Sequence, residues 1–211
     1  MSGARFRAAS PEDRADAGAF VGRVARWDPA TPVRLRADGD LVRIWAGTPF
    51  DALVTRAVAG SITPTDVTVY AGSLLAGLEV SVAEDVDPGT TADAAWRSQL
   101  PPAGGWVLVD RVPATVLAAL AQEFTSGARD RPGPAGGASA ALLDSEVMEV
   151  SGNGMRVPLT VRVLFALSGM GFAGPGEAEI VRISATDSWV RLDARYGAVL
   201  RRRHALIPLL L

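Results

Sequence analysis

Along the first seventy positions, apolar residues recur with the spacing of a helix and then with that of strands. Ala17, Phe20, Val21, Val24 and Trp27 share one helical face. Ser10 precedes them with Pro11, Glu12 and Asp13: a cap, a residue suited to the first turn, and two acids at the positive end of the helix dipole. A helix is predicted from residue 11, with Arg23 and Arg26 in its last turn. The period then falls to two, over 33–37 (VRLRA) and 41–45 (LVRIW). Asp38-Gly39 between these runs predicts a hairpin with a two-residue loop. After Thr48-Pro49, the residues Phe50, Leu53, Val54, Ala57 and Val58 return to helical spacing. A second helix is predicted there, closed by Gly60.

Residues 66–71 (DVTVYA) read as a strand, with short helices beginning near Ser73 and within 91–100. Trp106 to Val109 is apolar enough for a buried strand. Pro113 opens a helix that turns Leu117, Leu120, Ala121 and Phe124 inward, with Gly127 as its end. Residues 127–140 (GARDRPGPAGGASA) have the composition of a flexible linker. A second hairpin is predicted around Gly152-Asn153-Gly154. Pro158 to Ser168 fits a buried helix starting at Pro158, although Val157, Leu159, Val161 and Val163 also alternate as a strand would. Glu179 to Arg203 reads as a hairpin turning near Thr186-Asp187, followed by one more strand. The apolar tail, Ala205 to Leu211, requires a covering surface.

One pattern is written twice. At a constant offset of 148, Val33, Arg34, Ala37, Val42, Arg43 and Ala46 meet identical residues in 180–194, and Leu35 and Ile44 meet Ile183 and Leu192. Each copy follows a proline that can start a helix, which suggests a repeated helix–hairpin unit. With the two-residue loops placed as above, Arg34 lies opposite Arg43, and Arg182 opposite Arg191. Like charges directly across a ladder repel, so each pair calls for an anion, a carboxylate or an aromatic plane. Trp45 and Trp189 lie beside these arginines and can stack on them. Arg34, Arg43, Trp45, Arg182, Trp189 and Arg191 are therefore the candidate binding residues. The competing expectation is internal neutralisation, by acids of a neighbouring strand or of the 66–93 segment, which holds six acids and no arginine.

Composition narrows the chemistry. The 211 residues include no lysine, no cysteine and one histidine, His204; all 21 basic residues are arginine. A lysine phosphate loop, Schiff-base catalysis, thiolate metal sites, disulfides and histidine triads are thereby excluded. No cofactor is expected. Asp144, Glu146 and Glu149 are the carboxylates closest to a catalytic cluster, but on a strand Glu149 points away from the other two. The 133–137 stretch lacks the lysine of a phosphate loop. Residues 150–211 carry eight arginines against four acids, while 66–99 carry six acids against one arginine. With a net charge of −2, the chain has no overall field that would draw it to nucleic acid. A winged-helix reader is disfavoured because Thr160, Arg162 and Ser168 are nearly all the polar residues of the helix before the last hairpin. The N-terminal stretch has no apolar signal-peptide core, and no run is long enough to span a membrane, so a cytoplasmic protein is expected.

The segments TPFDALVTR (48–56), LSGMGF (167–172) and WVRLDARYG (189–197) resemble a group of uncharacterised actinobacterial proteins. That resemblance implies a bacterial protein and carries no activity. The expected architecture is α+β: antiparallel hairpins packed with helices, in an N-terminal lobe (1–126), a linker (127–140) and a C-terminal lobe (141–211). The function expected is that of a non-catalytic interaction or assembly protein, binding a protein partner or itself through the arginine–tryptophan faces. Two other readings stay open: binding of an anionic nucleotide or nucleic acid at the same faces, and a carboxylate-dependent enzyme.

Overall fold

In the computed structural model, residues 3–80, 85–130, 139–174, 176 and 178–203 are described. The apolar tail and His204 lie outside them, as does most of the expected linker. The fold is α+β, with antiparallel sheets throughout. Two compact units form, one from residues 1–49 and 53–99, the other from 50–52 and 100–211.

The first unit contains β1 (Arg5–Ala8), α1 (Pro11–Trp27), β2 (Pro32–Asp38), β3 (Leu41–Gly47), β4 (Leu53–Thr63), β5 (Asp66–Tyr70), α2 (Ala71–Val80) and β6 (Asp85–Val86). Its sheet runs β5-β2-β3-β4-β1-β6. Helix α1 starts where its cap predicts: Ser10 Oγ accepts the Asp13 N–H at 3.0 Å. The Asp13 carboxylate in turn accepts the Ala59 N–H at 2.8 Å, which ties the helix start to β4. Ala17, Phe20, Val21 and Val24 are buried, as their spacing requires.

The second predicted helix is instead strand β4, eleven residues long. Its apolar positions fit a helix, but Val54, Thr55, Val58 and Ile62 are β-branched and prefer a pleated surface. β4 is also flanked by β3 on one side and β1 on the other, pairings no local pattern reveals. Gly60 accordingly is no helix end. With φ at +150°, it sits where a Cβ would come within 2.2 Å of the Arg7 carbonyl oxygen. Residues 91–100 hold only a short 3-10 turn, Asp93–Ala95.

The second unit contains β7 (Val107–Pro113), α3 (Ala114–Asp130), α4 (Ala140–Leu143), β8 (Glu146–Gly152), β9 (Met155–Thr160), α5 (Val161–Gly169), β10 (Ile180–Ala185), β11 (Trp189–Ala194) and β12 (Gly197–Arg202). Its main sheet runs β12-β11-β10-β7, and β8 and β9 form a separate hairpin. The units divide at residues 99–100 rather than in 127–140, because β7 pairs with β10 far along the chain. α3 runs on to Asp130, past Gly127. Pro158 lies inside β9, and the helix begins only at Val161. Both readings of that stretch thus hold in part: alternation up to Thr160, then α5 with Val161, Val163, Leu164, Ala166 and Leu167 buried.

The helix–hairpin unit recurs, and it is longer than the repeated sequence. A strand, a helix and three further strands follow one another as β1-α1-β2-β3-β4 and again as β9-α5-β10-β11-β12.

Two glycines test this packing. Gly60→Ala is expected to destabilise the protein by about 2 kcal/mol or more, since it combines an unfavourable φ with a backbone clash. Gly18→Ala, inside α1 with open space at its Cβ position, should instead stabilise by roughly 0.5–1 kcal/mol. Urea unfolding of the two variants measures both signs.

Candidate interaction surface

The hairpins fix which arginines project together. In the first, Arg34 lies opposite Trp45, Arg36 opposite Arg43 and Asp38 opposite Leu41. In the second, Arg182 lies opposite Asp193, Ser184 opposite Arg191 and Ile183 opposite Leu192. The expected oppositions of Arg34 with Arg43 and of Arg182 with Arg191 are therefore both corrected by two residues. The cause lies in the turn. Gly39-Asp40, not Asp38-Gly39, forms the first loop, and Gly39 alone of the pair takes a positive φ, +62°. Glycine at the first loop position suits a type II′ turn. The sharing of faces survives the shift, because a two-residue slip preserves alternation. Val33, Leu35, Val42 and Ile44 are buried on one face, as are Val181, Ile183, Val190 and Leu192 in the second hairpin.

On the other face of the first unit, the arginines are engaged. Arg34 donates to both carboxylate oxygens of Asp66, at 2.7 and 2.8 Å, and Arg36 reaches the same group at 3.1 Å. Asp66 opens β5, the strand beside β2 and the start of the acidic segment. Arg43 pairs with Asp38 at 2.8 Å. The Arg34 guanidinium also lies 5.8 Å from the centre of the Trp96 ring. Trp45 is buried, at 7% exposure, and so presents no stacking plane. The hydrogen bond from Arg34 holds the Asp66 carboxyl below its ordinary range, against the opposing effect of burial.

The second unit differs. Arg191 pairs with Asp193 at 2.6 Å and lies 5.8 Å from the Trp106 ring centre. Arg202 covers Trp189 at 4.9 Å, and Trp189 itself is buried. Arg182 faces Asp193 on one side and Arg111 of β7 on the other. Arg111 was not among the sequence candidates, because only the β7–β10 pairing brings it beside Arg182. Both arginines are exposed. Neither guanidinium has a hydrogen-bond or ion-pair partner among the described residues.

The run Arg201-Arg202-Arg203 is dispersed. Arg201 turns to the opposite face of β12, where it meets Asp51 at 3.1 Å and Asp144 at 3.8 Å. Asp144 also accepts two bonds from Arg162, at 2.7 and 3.2 Å, and Phe50 packs edge-on against Phe165 nearby in sequence to these groups. Arg203 donates to the carbonyls of Thr186 and Arg156. Asp144, Glu146 and Glu149 do not converge: Asp144 serves the arginine network, and Glu149 lies 3.8 Å from Arg156. Among the described residues, no group of three His, Cys, Asp or Glu side chains could hold a metal ion.

This architecture has counterparts among solved structures. The fold is that of the bacterial sliding clamps. It matches the DNA polymerase sliding clamp from Bacillus subtilis (TM-score 0.62, 13% identity), covering 98% of this chain and 66% of the clamp. The DnaN sliding clamp from Bartonella birtlesii, bound to griselimycin, matches at TM-score 0.60 and 14% identity over 97% of this chain and 66% of that one. The DNA polymerase III subunit beta from Pseudomonas aeruginosa gives TM-score 0.58 and 11% identity over 99% and 66%. The chain thus spans just under two thirds of the length of the clamp chains it resembles. By sequence it belongs to the family described as a domain of unknown function, DUF8185, which matches residues 101–206; residues 1–98 match a second such domain, DUF8010. No curated protein matches the sequence. Among the described residues, no helix is long and apolar enough to cross a membrane.

The arginine–carboxylate bonds set a pH dependence. Asp66 and Asp144 are both held below the ordinary carboxylate range, first by hydrogen bonds from Arg34 and Arg162. A depressed folded-state pKa contributes stability above the unfolded pKa, and that contribution is lost as pH falls through the folded value. The melting temperature should therefore hold steady from neutral pH to about pH 5 and decline below about pH 4. Arg162→Gln should melt a few degrees lower at neutral pH and converge on the parent in acid. A calorimetric pH series checks both.

Proposed function

We propose that this protein is a non-catalytic assembly protein of clamp-like fold, which engages a protein partner or a second copy of itself through an arginine-bearing face of one of its hairpin sheets. The observation that carries this reading is the fold, together with the chemistry available to it. A repeated strand–helix–hairpin architecture resembles that of DNA polymerase sliding clamps. The composition excludes lysine, cysteine and histidine-cluster mechanisms. A cytoplasmic location is part of the same proposal.

Nucleic-acid binding is the second reading, favoured by the likeness of the fold to that of DNA polymerase sliding clamps. Charge weighs against it here. Helices α1, α2, α3 and α5 carry five arginines against six carboxylates. Binding to phosphates needs a surplus of cations, because release of counterions supplies the sequence-independent affinity.

Sedimentation velocity over a concentration series, alongside titration of a short DNA duplex, separates the two. The assembly reading expects self-association, or a protein partner retained after crosslinking, with weak duplex binding at physiological ionic strength. A chain that stays monomeric, retains no protein partner and binds duplex with a steep salt dependence would overturn it in favour of nucleic acid.

A further inference from the structure

The outer face of the β12-β11-β10-β7 sheet holds an uncompensated charge that the equivalent face of the first unit does not. Arg111, Arg182, Arg191 and Arg202 project from it against one carboxylate, Asp193. That carboxylate is taken up by Arg191. Among the described residues, the flanking acids are engaged as well: Glu179 pairs with Arg195, and the Asp110 carboxylate accepts the backbone N–H of Arg111 at 2.7 Å. Arg111 and Arg182 are left directly opposite one another across the ladder. Side chains so placed stand about 5 Å apart at Cβ, where like charges destabilise the sheet. Two residues along β10 from Arg182, on the same face, Ile180 is 44% exposed.

We propose that this face is the docking surface for an acidic protein segment, whose carboxylates are clamped between Arg111 and Arg182 while an apolar side chain covers Ile180. The inference rests on the assembly reading and gives it a location and a partner chemistry. A bound carboxylate relieves the repulsion between the two guanidiniums, and both can form charge-assisted hydrogen bonds to it. Protein is favoured over nucleic acid by two features of the same face. Among the described residues, only two of its arginines lack a partner, so few counterions would be released by a phosphate backbone. An exposed isoleucine beside them suits an apolar side chain rather than a sugar–phosphate chain. Among the described residues, the equivalent face of the first unit offers no such pair, since Asp66 already occupies Arg34 and Arg36 and Asp38 occupies Arg43.

Fluorescence anisotropy of a labelled synthetic octapeptide of alternating glutamate and leucine, titrated with the full chain, tests this. Binding is expected at low ionic strength and should weaken with added salt. The double variant Arg111→Gln, Arg182→Gln should lose about tenfold in affinity while melting no lower than the parent, since the repulsion between the two guanidiniums is removed. The pair Arg34→Gln, Arg36→Gln should bind as the parent does, and a lysine–leucine peptide should not bind. Undiminished binding by the first double variant overturns the proposal. So does a single-stranded oligonucleotide that binds more tightly than the peptide and is lost in the same variant, which would assign the face to nucleic acid. If the peptide does not bind while sedimentation still shows assembly, only this docking face is overturned; if both fail, the assembly reading falls with it.

Discussion

Asp66 accepts two hydrogen bonds from Arg34 and a third contact from Arg36, and this one carboxylate decides the character of the first sheet face. Arginine carries its charge at every accessible pH, so an arginine projecting from a strand must meet a carboxylate, an aromatic plane or water. β5 places Asp66 beside β2 in a register that puts it directly opposite Arg36 and within bidentate reach of Arg34. The face is closed by charge, and Trp45, beside the same arginines, is buried.

The second unit repeats the hairpin without repeating that closure. Its strand beside β10 is β7, which sets Arg111 opposite Arg182, whereas β5 sets Thr68 opposite Arg34 and Asp66 opposite Arg36, within reach of both arginines. A carboxylate on β5 within reach of Arg34, against a second arginine on β7 beside Arg182, separates a neutralised surface from an open cationic one. The repeated hairpin sequence thus yields two surfaces of different chemistry, because the third strand of each is unrelated. Asp193 softens the difference by taking up Arg191, and Arg202 is drawn onto Trp189. What remains is the pair formed by Arg111 and Arg182.

Local signals carried the sequence reading as far as local signals reach. α1 was legible because cap, dipole and period agree at Ser10, Pro11 and Phe20. Both arginine hairpins were legible as hairpins, and the internal neutralisation of Arg34 by the acidic segment was already one of the two expectations. Their register was not, since Gly39-Asp40 in the first and Asp187-Ser188 in the second, each one residue later than expected, form the loops and shift every cross-strand partner by two. β4 was misread because Phe50, Leu53, Val54 and Val58 keep helical spacing, and its neighbour β1 lies far away in sequence. The division of the chain followed the conspicuous glycine–proline run, whereas the structure divides where β7 leaves to pair with β10. Arg111 was invisible for the same reason. No spacing argument could place it beside Arg182.

The contrast between the two faces is a statement about individual guanidinium groups, and arginine side-chain Nε–H resonances report it directly. In a nitrogen-15-labelled sample near neutral pH, Arg34, Arg43 and Arg191 should give resolved Nε–H signals protected from exchange with water, because each donates to a carboxylate. Arg111 and Arg182 should exchange rapidly and show no such protection. Protection of Arg182 equal to that of Arg34, or free exchange at Arg34, would contradict the account.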